Sequence, residues 1–175
     1  MNLLYAKTPL EDSFGCNFNV LIKNQPKVLG VRALLLEWLA FRIDCVKRRI
    51  TFDIKKKTAQ LHLLYGLRKI LLDLDKAIKI VRDTELDEMV VPNLMEGFGI
   101  DKIQAEFVAE IKLRNLNKEY ILKRTSEIEK LIAEIAELTK TLESDARVRK
   151  LISKQLTEIA DKYGADRRTV VVEPD

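Results

Sequence analysis

A chain of 175 residues can bury a core without help from metals or disulfides. Its 47% hydrophobic and 33% charged residues, with only 6 Gly and 4 Pro, exclude a disordered or sandwich-type chain and make helix the expectation. The net charge of +4 is modest, but residues 42–69 hold nine bases (Arg42, Lys47, Arg48, Arg49, Lys55, Lys56, Lys57, Arg68, Lys69) against Asp44 and Asp53. That stretch alone carries +7, so the remainder sums to −3 and the positive field is focused on one segment, as a nucleic-acid contact requires and as a solvated helix face also allows.

Cys16 and Cys45 have no CxxC spacing and no neighbouring His cluster, which argues against a zinc site or a disulfide framework and for a reducing, cytoplasmic compartment. The opening residues show no basic stretch followed by an apolar core, and no apolar run approaches the length of a membrane span. No membrane partner is expected.

In chain order, Phe14 to Ile22 and Lys27 to Val31 are β-prone runs joined by the turn-like Lys23-Asn24-Gln25-Pro26, which predicts a hairpin. From Val31 to Asp83 there is no Pro and a single Gly, Gly66. Leu36, Leu39, Ile43, Val46 and Ile50, then Leu61, Leu64, Leu67 and Leu71, recur at helical spacing. One very long helix or two nearly collinear ones follow, reaching roughly 70 to 80 Å at 1.5 Å per residue. A break is expected at residues 73–75, with Asp75 capping a second piece to Arg82.

Pro92, Gly97 and Gly99 predict a turning segment between Thr84 and Gly99, after which Asp101 caps a helix from Lys102 to about Leu113. Ile121, Ile128, Ile135 and Leu142 then recur every seven residues, with Leu131 and Leu138 at the second apolar position of a heptad. Glu127, Glu129, Lys130, Glu134, Glu137 and Lys140 supply charged flanks. A last helix from Arg147 to Tyr163, capped by Ser144 or Asp145, ends at Gly164. The predicted fold is mainly α: a long antiparallel coiled-coil arm with a small helical tip and a short β hairpin.

Residues 4–35, 48–71 and 73–83 carry Leu4-Tyr5 with Thr8, Ser13-Phe14, Asn17, Gln25-Pro26-Lys27, Arg48-Arg49 with Thr51-Phe52, His62, Gly66-Leu67 and Ile80-Val81-Arg82, in that order. With these, the chain resembles the A-type subunits of DNA gyrase and topoisomerase IV, over the segment that leaves the tower domain and enters the coiled coil. Residues 105–116 resemble that family's tip helix, and residues 163–169 resemble the point where the returning arm meets the tower. Lys76 departs from the pattern, since many relatives have Pro there, and the loop between Arg82 and Asp101 is short.

The resemblance implies a division into 1–30 as the end of the tower with its hairpin and 31–83 as the outgoing arm. It further implies 84–117 as the exit-gate tip, 118–164 as the returning helix and 165–175 as the return to the tower. Members of this family cleave duplex DNA through tyrosines, pass a second duplex through the break and release it at an exit gate. The ATP and catalytic magnesium belong to the B-type partner, and the catalytic tyrosine lies in a preceding domain. No cofactor and no activity are therefore expected of this chain alone. Its partners would be double-stranded DNA, a second copy through the tip, and the B-type ATPase. The resemblance makes Arg42, Lys47, Arg48, Arg49, Lys55, Lys56 and Lys57 the candidate DNA contacts, spread around the helix so that some pair with glutamates of the returning strand. It makes Phe98, Ile100, Ile103, Phe107, Val108, Ile111 and Leu113 the candidate dimer interface.

Other side chains read as structural. Tyr5, Tyr65, Tyr120 and Tyr163 have no Arg and His constellation that would activate a phenol, and are expected to pack. His62, among leucines and without a nearby carboxylate in sequence, reads as a packing histidine, and Trp38 and Phe41 read as core. The competing function is a free-standing coiled-coil module that binds nucleic acid or a partner helix. No phosphate loop, metal-ligand cluster or triad spacing supports an independent enzyme.

Overall fold

The computed structural model describes residues 2–112 and 116–172. The chain is mainly helical with one antiparallel hairpin. Its elements are α1 (Asn2–Lys7), β1 (Phe18–Ile22), β2 (Gln25–Leu29), α2 (Val31–Leu71), α3 (Leu74–Asp83), α4 (Val90–Phe98), α5 (Lys102–Ala109), α6 (Lys118–Glu143) and α7 (Asp145–Tyr163), with a 3-10 turn at Asp87–Met89. Two compact units divide it, Met1–Cys45 and Val46–Asp175, and α2 contributes to both.

In the first unit β1 pairs with β2 from Phe18 opposite Leu29 to Ile22 opposite Gln25. Only Lys23 and Asn24 turn, both at positive φ (50° and 62°), the two-residue geometry whose twist matches that of the strands it joins. Gln25 and Pro26, expected in the turn, are the start of β2. Pro26 is tolerated because each strand of a two-stranded ribbon keeps a free edge. The hairpin and the first turns of α2 enclose an apolar groove of about 760 Å³, lined among others by Val20, Ile22, Leu29, Leu34, Trp38 and Phe41. Trp38 and Phe41 are 44% and 64% exposed, so these expected core residues are walls of an open groove.

In the second unit Val46, Ile50, Leu64, Leu67 and Ile70 of α2 are buried, as are Ile128 and Leu131 of α6 and Val148 and Ile152 of α7. Leu64, Leu67, Ile128 and Leu131 pack into one cluster, and each such aliphatic side chain contributes about 1.5–3 kcal/mol by leaving water. Polar pairs fix the register. Lys47 reaches Asp145 at 2.6 Å, Lys57 reaches Glu134 at 2.5 Å, and Gln60 donates to Glu127 at 2.6 Å. Numbers rise along α2 as they fall along the return, so the two run antiparallel, as the heptad and its charged flanks predict.

Caps place the breaks. The cap of α3 is the side chain of Asp73 rather than the expected Asp75; it accepts from the Lys76 N–H and starts the helix. Of the two candidates for the last helix it is Ser144, whose hydroxyl accepts from the Arg147 N–H, and Asp145 is the first helical residue. Gly164 does end α7, but with φ −62° rather than in the left-handed region. Its N–H donates to the Ala160 carbonyl at 2.7 Å, and a Cβ there would lie 2.3 Å from that oxygen.

Beyond the Gln60–Glu127 pair lies the tip, built from α3, α4 and α5. The expected turning segment is largely helical, since it holds α4. Gly99 closes α4 in the left-handed conformation, φ 57° and ψ 47°. Ile70, Ala77, Leu94, Ile100 and Ala105 form the tip core, with Ile80, Met95, Phe98 and Val108 packed around it.

Candidate nucleic-acid interface and tip face

The basic residues of α2 fall into distinct groups. Arg42 belongs to the first unit and is half-buried. Lys47 and Lys57 are engaged with Asp145 and Glu134 of the return, as the spread of charges around the helix predicts. Arg49, Lys55 and Lys56 are exposed and form no ion pair among the described residues. Arg48 and Lys55 flank Phe52, which is 65% exposed, on a shallow cleft that Lys47 and Thr51 complete.

Sequence reasoning missed the cations of α7. Arg147, Lys150 and Lys154 line the same groove as Arg49, because the antiparallel register carries the start of α7 to the level of Arg49. Their spacing of three and four residues marks one helix face, a signal readable in the sequence.

The tip residues are distributed unevenly. Ile100 is buried in the tip core, and Phe98 packs against it with the Lys76 ammonium 5.0 Å from its ring. Phe107, Val108 and Ile111 are half-buried against the cluster of Leu64, Leu67, Ile128 and Leu131. Ile103 alone of the described set is strongly exposed, at 64%. Leu113 lies outside the described residues. Exposed apolar side chains not anticipated at the tip are Ile78, Val81, Leu86 and Met89.

His62 is not a packing histidine. Its side chain is half-exposed, and Nε2 pairs with the Asp101 carboxylate, 39 residues away in sequence. Asp101 caps α5 by accepting from the Gln104 N–H at 2.9 Å, while Gln104 Oε1 accepts from the Asp101 N–H and Gln104 Nε2 donates to the His62 carbonyl at 2.7 Å. These bonds tie the first turn of α5 to α2. Of the tyrosines, Tyr120 is half-buried beneath the Arg124 guanidinium, whereas Tyr5, Tyr65 and Tyr163 are exposed rather than packed. Among the described residues no group of three or more His, Cys, Asp or Glu side chains could hold a metal ion, and no helix is long and apolar enough to cross a membrane.

Two carboxyls are held below the usual aspartate value: Asp101 chiefly by the Gln104 backbone N–H and further by His62, and Asp145 by Lys47. A group whose pKa is depressed on folding adds stability that is present above its unfolded value and lost as the pH falls through the folded one. Stability is therefore expected to fall below about pH 4. In Asp101→Asn/Asp145→Asn, which keeps a capping side chain at residue 101, the acid limb of Tm against pH should be flatter. An acid limb as steep as the parent's would remove these two carboxylates from the account.

The family model for the A subunit of DNA gyrase/topoisomerase IV matches residues 1–157. The chain is 39% identical to the DNA topoisomerase 4 A subunit of Salmonella typhimurium, over 97% of the chain and 22% of that protein. It is 33% identical to the DNA gyrase A subunit of Clostridium acetobutylicum, over 98% of the chain and 21% of that protein. It is 37% identical to the DNA topoisomerase 4 A subunit of Escherichia coli K12, over 99% and 23%. The chain spans about a fifth of the length of these curated relatives. With a family match over most of its length and relatives more than 30% identical over nearly all of it, the chain belongs to the family of DNA gyrase and topoisomerase IV A subunits.

Proposed function

We propose that this chain is the arm and exit-gate tip of the A-type subunit of a type IIA topoisomerase, supporting double-strand passage and changes in DNA supercoiling by closing symmetrically on a second copy. The observation that carries the reading is the exposed apolar set at the tip. Ile78, Val81, Leu86, Met89 and Ile103 are between 45% and 66% exposed on a segment stabilised by its own core. A two-fold contact needs a self-complementary apolar patch, and these exposed residues, with the partly buried Phe98, Phe107, Val108 and Ile111, are the ones assigned to it in this reading. Ile100 serves the gate from inside, as core, and Leu113 is retained in the proposed interface.

In this reading residues 1–30 close the tower, 31–83 and 118–164 form the two strands of the coiled-coil arm, 84–117 form the gate together with Ile78 and Val81 at the end of the outgoing strand, and 165–175 return to the tower. Arg42, Lys47, Arg48, Arg49, Lys55, Lys56 and Lys57 give the outgoing strand its attraction for duplex DNA. Arg49, Lys55 and Lys56 contribute most, since Lys47 and Lys57 already neutralise carboxylates. The chemistry resides elsewhere in the enzyme, with ATP and magnesium on the B-type partner, and the assembly works in the cytoplasm.

Light scattering over a range of concentrations tests the gate. The expected result is a dimer for the parent chain and a monomer of unchanged helicity for Val81→Asp/Ile103→Asp, whose sites are exposed enough to accept charge without unfolding. A double variant that remains dimeric would take the interface away from the tip, and a parent that stays monomeric throughout would refute self-association.

A further inference from the structure

We propose that the groove between α2 and the start of α7 is a seat for the phosphate backbone of duplex DNA, so that the DNA-contacting surface is built from both strands of the arm. This rests on the reading of α2 as a DNA contact and extends it to residues of the returning strand. The groove has a volume of about 730 Å³, and its charged lining is Arg49, Arg147, Lys150 and Lys154 against Asp53 and Glu137. Glu137 is already neutralised, since it accepts from Arg147 at 2.8 Å. Arg49 and Lys150 form no ion pair among the described residues. The carboxylate nearest Lys154 is that of Glu158 at 3.9 Å, in an exposed pair of the kind that contributes little. Three cations, Arg49, Lys150 and Lys154, therefore face an outside anion, opposed by Asp53 in the lining and by the exposed Glu158 beside Lys154.

The arrangement fits a duplex backbone better than other polyanions. Residues 147, 150 and 154 share one face of α7, and Lys150 and Lys154 are separated by about 6 Å of helix rise. That exceeds the roughly 3.4 Å axial spacing of phosphates on one strand, so each ammonium can meet its own phosphate. The lining contains no aromatic ring on which an unpaired base would stack, and no Asn or Gln to read a base edge. Contact is thus with the backbone and independent of sequence. Arg49 links this groove to the exposed Lys55 and Lys56 on the same helix.

The test is fluorescence anisotropy of a labelled short duplex with the whole 175-residue chain across a salt series. Three proteins are compared: the parent, Lys150→Gln/Lys154→Gln and Lys55→Gln/Lys56→Gln, with circular dichroism to confirm equal helicity. The slope of log affinity against log salt is expected to become shallower by about two on neutralising Lys150 and Lys154, at about 0.9 per lost phosphate contact. A Lys150→Gln/Lys154→Gln protein with the parent's slope and affinity, while Lys55→Gln/Lys56→Gln loses both, would overturn the two-stranded seat and leave the α2 contact standing. A parent with no salt-dependent binding at all would overturn the α2 contact and the seat together. Tighter binding of a single strand of equal charge would overturn the assignment to duplex.

Discussion

Replacing Leu67 with alanine is expected to cost about 3 kcal/mol of unfolding free energy, read from urea denaturation of the second unit's helical signal. Leu67 is 1% exposed and packs with Leu64, Ile128 and Leu131, so its truncation removes apolar area from water and leaves a cavity between two antiparallel helices. Helices held along one seam cannot collapse into that space without dragging the Lys57–Glu134 and Gln60–Glu127 pairs out of register. The matched control is Leu72→Ala. Leu72 lies just beyond α2 and is 80% exposed, so its truncation is expected to change stability by less than about 0.5 kcal/mol. Equal losses for the two leucines would mean that the seam between α2 and the return is not where the second unit gets its stability.

The seam is the most legible part of the molecule. Ile128 and Leu131 are buried where a seven-residue repeat predicts them, and heptad spacing is local information that any partner helix must satisfy. The hairpin is legible for a similar reason, although its turn closes at Asn24 rather than running through Pro26. At α4 the sequence misleads, because Pro92 and the glycines look like breakers. Pro92 is the third residue of the helix, in the turn whose N–H groups have no helical acceptor, so a proline there costs no hydrogen bond.

Pairings that depend on register lie beyond the sequence. Nothing local to His62 announces Asp101, and nothing near Arg49 announces Lys150. Both follow only once the return strand is laid antiparallel on α2 at a particular offset. The same limit explains the tip. Ile100 and Ile103 are alike in sequence, yet one is 6% and the other 64% exposed, because Ile100 enters the tip core just before the cap of α5, whereas Ile103 lies in the first turn of α5 outside that core.

Gly66 is where α2 packs against Gln104 of α5, and it gives the second large effect. Gly66→Ala puts a methyl group in the middle of an α-helix, a change that by propensity alone stabilises by about 1 kcal/mol. Here the added Cβ would lie 2.6 Å from Gln104 Cβ and 2.8 Å from Gln104 Cγ. Gln104 Cβ is not the free end of a flexible chain. It is attached directly to the backbone of α5, so the helix itself must move. Moving α5 strains the bond from Gln104 Nε2 to the His62 carbonyl and the His62–Asp101 pair, which together hold α5 on α2. An overpacking cost of about 1–3 kcal/mol, with roughly 1 kcal/mol for weakening the Gln104–His62 hydrogen bond, outweighs the propensity gain. Gly66→Ala is therefore expected to destabilise by about 2 kcal/mol. Amide hydrogen exchange should quicken first in α5 rather than in α7. Gly66→Ala as stable as the parent, with α5 unchanged in exchange, would mean that the approach of α5 to α2 is looser than these contacts require.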